Sequence, residues 1–166
     1  MHETPDDLEA MQRLIDESHA GAGAHLRSIF SEQRRMTAEQ VVAELEGMQI
    51  LALSTVTARG EPRVAPVDGH LFRGRFHFGS SPESLRFRNL RARPAVSAAV
   101  IRGEELCVIL HGRAAELDIA APENEPFLDH VVDVYRDRLP DFREFALKVA
   151  WARIEPERMF TFRNHG

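Results

Sequence analysis

The chain has 166 residues, of which 43% are hydrophobic and 28% charged, with a formal net charge of −5. That length is enough for one domain with a sizeable core, and no apolar run approaches the roughly 18 residues that a membrane span requires. The acidic balance gives no electrostatic reason to expect a nucleic-acid or membrane partner, and the single cysteine, Cys107, excludes an internal disulfide, which fits a reducing cytoplasm.

The acidic start, from His2 to Asp7, has neither the basic nor the apolar region of a secretory leader, and none is expected there. Leu8, Met11, Leu14 and Ile15 then recur at helical spacing, with Asp6 or Asp7 as the expected cap. Such a narrow apolar stripe must lie on its own domain or on a partner subunit. Gly21 and Gly23 interrupt the pattern before Leu26, Ile29 and Phe30, and Glu32 to Arg35 reads as a solvated linker. Residues 1–36 are therefore expected to form a helical extension, and residues 37–166 the principal domain. Thr37 and Gln40 make a capping box for a short helix that buries Val41, Val42 and Leu45, with Gly47 expected at its C′ position.

From Met48 the period changes to two. Strands are expected over Ile50–Thr57, Arg63–Phe72, Arg75–Phe78, Ala95–Ile101 and Glu105–His111, the last continuing past Gly112 as Arg113–Asp118. Pro66 removes a ladder donor, which places its strand at an edge or on a bulge, and Gly112 suggests a bulge or a close approach. A helix opens at Pro122 to Pro126, with Phe127, Val131, Val134 and Tyr135 on one side and Asp129, Asp133 and Asp137 on a solvated one. The last strand is expected over Lys148–Glu155, broken by Pro156 and followed by a separate apolar piece, Met159 to Phe162. About six strands in hairpin order, without βαβ alternation, predict an α+β fold: an antiparallel sheet closing into a barrel.

Between Phe76 and Pro94 the strand pattern breaks at Gly79 and gives way to a short helix, for which Ser80 or Ser81 can serve as cap and Pro82 as first residue. Hydroxyls, free N–H groups and nearby guanidinium groups at a helix start are suited to a phosphate, and equally describe an ordinary capped helix with a basic face. Elsewhere the chain has no P-loop, GxGxxG, GxSxG or HExxH pattern, and its eight histidines are scattered. Cys107, inside an apolar strand, reads as an inert core thiol.

The ordered set Leu51–Val56, Gly60–Val67, Phe76–Ser81, Ser84–Leu90 and Arg93–Ser97, with Gly112 and the Arg153–Phe162 segment further on, resembles the pyridoxamine 5′-phosphate oxidase-like superfamily of flavin- and deazaflavin-binding split barrels. The resemblance implies a six-stranded split β-barrel and a homodimer with cofactor sites at the subunit interface. It implies that the backbone of Arg63, Val64, Ala65, Pro66 and Val67 lies along the isoalloxazine edge. Phe78, Gly79, Ser80, Ser81, Ser84, Arg86 and Asn89 are the implied remainder of the site, with Gly79 and Ser80 approaching the ribityl phosphate and Ser84 and Arg86 completing its pocket. The family commonly carries Arg-Lys after that serine, whereas this chain has Leu85-Arg86, with Arg88 as the next guanidinium. Where the oxidase carries lysine after its second-strand motif, this chain has Asp68, so oxidation of pyridoxamine phosphate is not implied. The implied activity is hydride transfer between bound FMN and a small-molecule substrate, with no catalytic acid or base identified. A deazaflavin coenzyme is the alternative, as is a non-turnover binder of flavin or of haem ligated by His70, His77 or His111.

Overall fold

A computed structural model describes residues 2–164. Six antiparallel strands, β1 (Met48–Val56), β2 (Pro62–Phe72), β3 (Arg75–Ser80), β4 (Ala95–Arg102), β5 (Leu106–Leu117) and β6 (Ala150–Arg163), close into a barrel in the order β1-β2-β3-β6-β5-β4. Alternation within each strand sorts the residues. Leu51 and Leu53 of β1, Phe76 and Phe78 of β3 and Val108 and Leu110 of β5 point inward, and each is at most 1% exposed. Each such side chain contributes about 1.5–3 kcal/mol by leaving water.

The barrel is split because β2 outruns its partner. Pairing with β1 extends from Met48↔His70 to Val56↔Pro62, while pairing with β3 covers only Gly69↔Phe78 to Phe72↔Arg75. Residues 62–68 therefore have one free edge, and the edge position expected for Pro66 is where the structure puts it.

Several local expectations are corrected. β3 does not break at Gly79 but continues to Ser80, because Gly79 and Ser80 still pair with Trp151 and Ala150 of β6. The helix that follows, α4 (Leu85–Ala92), is capped by Ser84, whose hydroxyl accepts from the Phe87 N–H, and not by Ser80 or Ser81. Residues 81–84 form the turn between them. Pro156 does not end β6. Gly112 pairs with Pro156 while His111 pairs with Arg158, so Glu157 is an extra residue on β6 and the strand passes the proline on a bulge. The bulge reverses the alternation, turning Ala152 and Ile154 inward before it and Met159 and Thr161 inward after it. Gly112 is fixed by the same feature, since a Cβ there would lie 2.2 Å from the Glu155 carbonyl oxygen.

Of the helices before the barrel, α1 (Pro5–Ala20) is capped by Thr4 in a reciprocal box with Asp7, not by Asp6 or Asp7 acting as the cap. Its stripe lies on its own barrel: Met11 and Ile15 join the main core, and the Ser18 hydroxyl accepts from the Met159 N–H. α2 (Ala24–Ile29) follows, and the expected linker contains a 3-10 turn, Glu32–Arg34. The box of Thr37 and Gln40 opens α3 (Ala38–Glu44) as expected, and Gly47 takes a positive φ of 74° just beyond it. A second core lies outside the barrel, where α5 (Glu125–Tyr135) and α6 (Phe142–Ala146) cover Phe72 and Trp151. α6 has no counterpart among the elements expected from the sequence.

Candidate functional site

The free edge of β2, the end of β3 and the first turn of α4 converge on one side chain. Arg86 donates from Nη1 to the Ser80 hydroxyl at 3.2 Å and from Nη2 to the Pro66 carbonyl at 3.0 Å. α4 aims it there because Phe87 and Leu90 anchor the helix in the core and the buried Asn89 donates to the Thr55 hydroxyl of β1 at 3.0 Å. Arg86 is half-buried, and burial draws its pKa below the ordinary value. Among the described residues no carboxylate lies within ion-pair distance of it. A partly desolvated cation with neutral partners only is poised for an anion, and guanidinium groups suit phosphate.

The residues singled out in the sequence separate into groups. Pro66, Ser80 and Arg86 are brought together, with Gly79 and Ser81 adjacent on β3 and its turn. The Ser84 hydroxyl is engaged at the cap, and the Ser81 hydroxyl accepts from the Glu83 N–H at 3.4 Å. Phe78 is fully buried and packs against Phe87 with ring centroids 6.1 Å apart, so its side chain serves the core. Asn89 is likewise buried and positions the helix. Arg63 is exposed and paired with Glu61, and Arg88 is exposed. Val67 points into the core, whereas Val64, Ala65 and Pro66 line an apolar hollow with Ile50, Ala52, Ala99 and Ile101. Exposure there is high, 54% for Ile50, 70% for Val64 and 61% for Ile101.

On the same outer face of β2, beyond Pro66, come Asp68, His70 and Phe72. Asp68 accepts a 2.8 Å hydrogen bond from the Tyr135 hydroxyl of α5, and His70 Nε2 stands 3.5 Å from that oxygen. Burial and the Asp68 carboxylate push the Tyr135 phenol well above its ordinary range. His70 is held neutral, its pKa pulled down to about 3 chiefly by burial, with the His130 and His77 charges adding to the effect. These groups border a cleft of about 400 Å³ that also reaches Gly79, Ser80, Ser81 and Trp151. Helical spacing places Tyr135 on the apolar side of its helix, but no local pattern marks Trp151 or the aromatic residues of α6. Their meeting with Asp68 depends on how α5 and α6 dock, for which no local motif exists.

Cys107 is partly buried, and burial raises its thiol pKa, in keeping with an inert thiol. Among the described residues no helix is long and apolar enough to cross a membrane.

Against known proteins, the family model described as Pyridoxamine 5'-phosphate oxidase matches residues 37–160. No curated protein matches the sequence. Among solved structures, the fold is similar to that of a conserved hypothetical protein from Mycobacterium tuberculosis (19% identity, 80% of this chain and 88% of that one, TM-score 0.66). It is similar also to a FAD-binding protein from Mesorhizobium loti (22% identity, 77% and 95% covered, TM-score 0.59) and to the heme storage protein HutZ from Vibrio cholerae (17% identity, 83% and 92% covered, TM-score 0.56). At these identities the likeness shows the fold alone.

Proposed function

Because the chain belongs to the pyridoxamine 5′-phosphate oxidase family, we propose that it is a flavin-binding oxidoreductase, with FMN held at the split of the barrel and a small molecule as its substrate. The observation that carries this reading is Arg86: half-buried, hydrogen-bonded only to a hydroxyl and a carbonyl, and lacking an acidic partner among the described residues. In this reading Arg86 and Ser80 hold the cofactor phosphate beside the first turn of α4, and the free edge of β2 from Arg63 to Val67 offers backbone groups to the ring system. FMN when bound supplies the hydride chemistry. The protein's part is to bind, orient and exclude water, a role that needs no dedicated acid or base. Asp68, hydrogen-bonded by Tyr135, stands where the resemblance would put a phosphate-gripping lysine, which argues against pyridoxamine phosphate as the substrate.

The apolar hollow over Ile50, Val64 and Ile101 supports a homodimer in which a second copy covers this face. The Pro66 carbonyl that Arg86 engages belongs to the strand bordering that hollow, so such a partner would close over the cofactor.

The test is spectroscopic. Purified protein is mixed in turn with FMN, a deazaflavin coenzyme and haemin, then passed through gel filtration. Retention of FMN, with bleaching of its visible band on adding a reductant and return of the band with an acceptor, is the expected result. Retention of the deazaflavin alone would replace FMN by that coenzyme. A Soret band alone would make the protein a haem binder, and no retained chromophore would refute cofactor binding.

A further inference from the structure

The cleft between α5–α6 and the outer faces of β2, β3 and β6 has a composition of its own. Its walls are largely aromatic and aliphatic: Tyr135 stacks on Phe142 with centroids 4.2 Å apart, and Leu139, Phe145, Val149 and Trp151 add to the lining. Val149 and Trp151 sit directly on the strand because residue 79 is glycine; a Cβ there would meet them at 2.9 and 3.2 Å. Among the described residues, Asp68 is the only carboxylate lining the cleft, and neither lysine nor arginine lines it. The Tyr135 hydroxyl commits its proton to Asp68 Oδ2, so it is free to accept from His70 Nε2. Asp68 is exposed, and its Oδ1 has no hydrogen-bond partner among the described residues.

We infer that this cleft is a binding site for a small organic cation, an arylalkylamine with its ammonium group on a short chain from an aromatic ring, with Asp68 as its counter-ion and Tyr135 holding the carboxylate in place. A carboxylate fixed on one oxygen presents the other to an ammonium group, while ring faces attract both the cation and the aromatic body behind it. The volume, about 400 Å³, is that of a small-molecule pocket. An anionic ligand would meet Asp68 at close range with no cation in the lining to offset it. Ser80, hydrogen-bonded to Arg86, also lines the cleft, so the bound amine lies next to the proposed cofactor phosphate. That the amine is the substrate rests on the oxidoreductase reading; that it binds does not.

Trp151 is the one tryptophan of the chain and lines the cleft, so its fluorescence reports occupancy without any cofactor. The protein free of FMN is titrated with 2-phenylethylamine and, separately, with 3-phenylpropionate, of similar skeleton and opposite charge. The expected result is a saturable change with the amine, binding of the carboxylate weaker by about tenfold or more, and a similar loss of amine affinity in Asp68→Asn. Tyr135→Phe should give a smaller loss of the same sign, since the carboxylate survives but is no longer held. Far-UV dichroism and the melting midpoint establish that both variants are folded; if Asp68→Asn is not, the amine-to-carboxylate contrast in the unaltered protein decides alone. Equal affinity for the two probes, no saturable response, an unchanged affinity in folded Asp68→Asn, or displacement of the amine by FMN would overturn the inference. Loss of the FMN reading would leave the titration intact, and a failed titration would leave FMN retention intact.

Discussion

At the scale of single residues, Arg86 separates function from stability. Its guanidinium is partly desolvated, and two neutral hydrogen bonds compensate it incompletely. Replacing it by an apolar residue of similar length removes that desolvated charge and leaves the exposed Pro66 carbonyl to water. Arg86→Met is therefore expected to melt within about 2 °C of the unaltered protein, or above it, in the absence of ligand. The same variant should lose FMN affinity by about 10- to 100-fold, the worth of a charge-assisted phosphate contact. Calorimetric titration together with a melting curve checks both; an unchanged dissociation constant would remove Arg86 from the site. Gly112 is constrained differently, by a backbone carbonyl 2.2 Å from where its Cβ would be, and it belongs to the barrel's architecture and not to its chemistry.

At the scale of elements, α5 is fastened to the sheet through imidazoles. His70 of β2, His77 of β3 and His130 of α5 are all buried, His77 stacks on Phe127 at 4.3 Å, and His130 Nδ1 lies 3.1 Å from His2 Nε2. Burial lowers their pKa values, to about 3 for His70 and about 4 for His77 and His130, from the ordinary 6.5. The unfolded chain thus takes up protons before the folded one as pH falls. Their contribution to stability is complete above about pH 6.5, shrinks below it, and goes on shrinking until the folded-state values near 3 to 4 are passed. At pH 5 each such imidazole is expected to cost the fold about 2 kcal/mol relative to pH 7.5. Urea melts across that range should show the midpoint falling with acidity, and His77→Phe should flatten the slope. A midpoint independent of pH would mean the three imidazoles are not buried together.

At the scale of the whole molecule, the outer surface is uneven. α5 and α6 cover one part of the sheet, whereas the hollow over β1, β2 and β4 leaves Ile50, Val64 and Ile101 in water. In the proposed homodimer a second copy related by two-fold symmetry would cover that patch. Sedimentation should therefore give a dimer, and Val64→Glu should give a folded monomer that retains FMN less well. A monomeric unaltered protein, or a Val64→Glu dimer with unaltered retention, would dissociate this face from the site.

How much of this was legible in advance depends on the range of the interaction involved. The strands themselves, the Thr37–Gln40 box, the edge position of Pro66 and the special role of Gly112 follow from near neighbours, because alternation, capping and glycine or proline geometry act within a few residues, whereas the pairing of β3 with β6 and of β1 with β4 departs from the expected hairpin order. The same local reasoning misplaced the cap of α4 and broke β6 at Pro156. What decided those points was distant: β6 pairs with Gly79 and Ser80 and so carries β3 further, and a bulge opposite Gly112 lets a proline remain in a 14-residue strand. Arg86 could be singled out from its spacing after Ser84, but its neutral surroundings could not, since Pro66 lies 20 residues away. The meeting of Asp68, Tyr135 and Trp151 lies further still from local inference: their chain positions span 84 residues, and no periodicity links them. The sequence by itself determined the alternation and the chain reversals that make this a barrel. Only the tertiary structure decided which hydroxyl, carbonyl and carboxylate face each guanidinium and phenol, because those contacts join elements whose docking is set by the core as a whole.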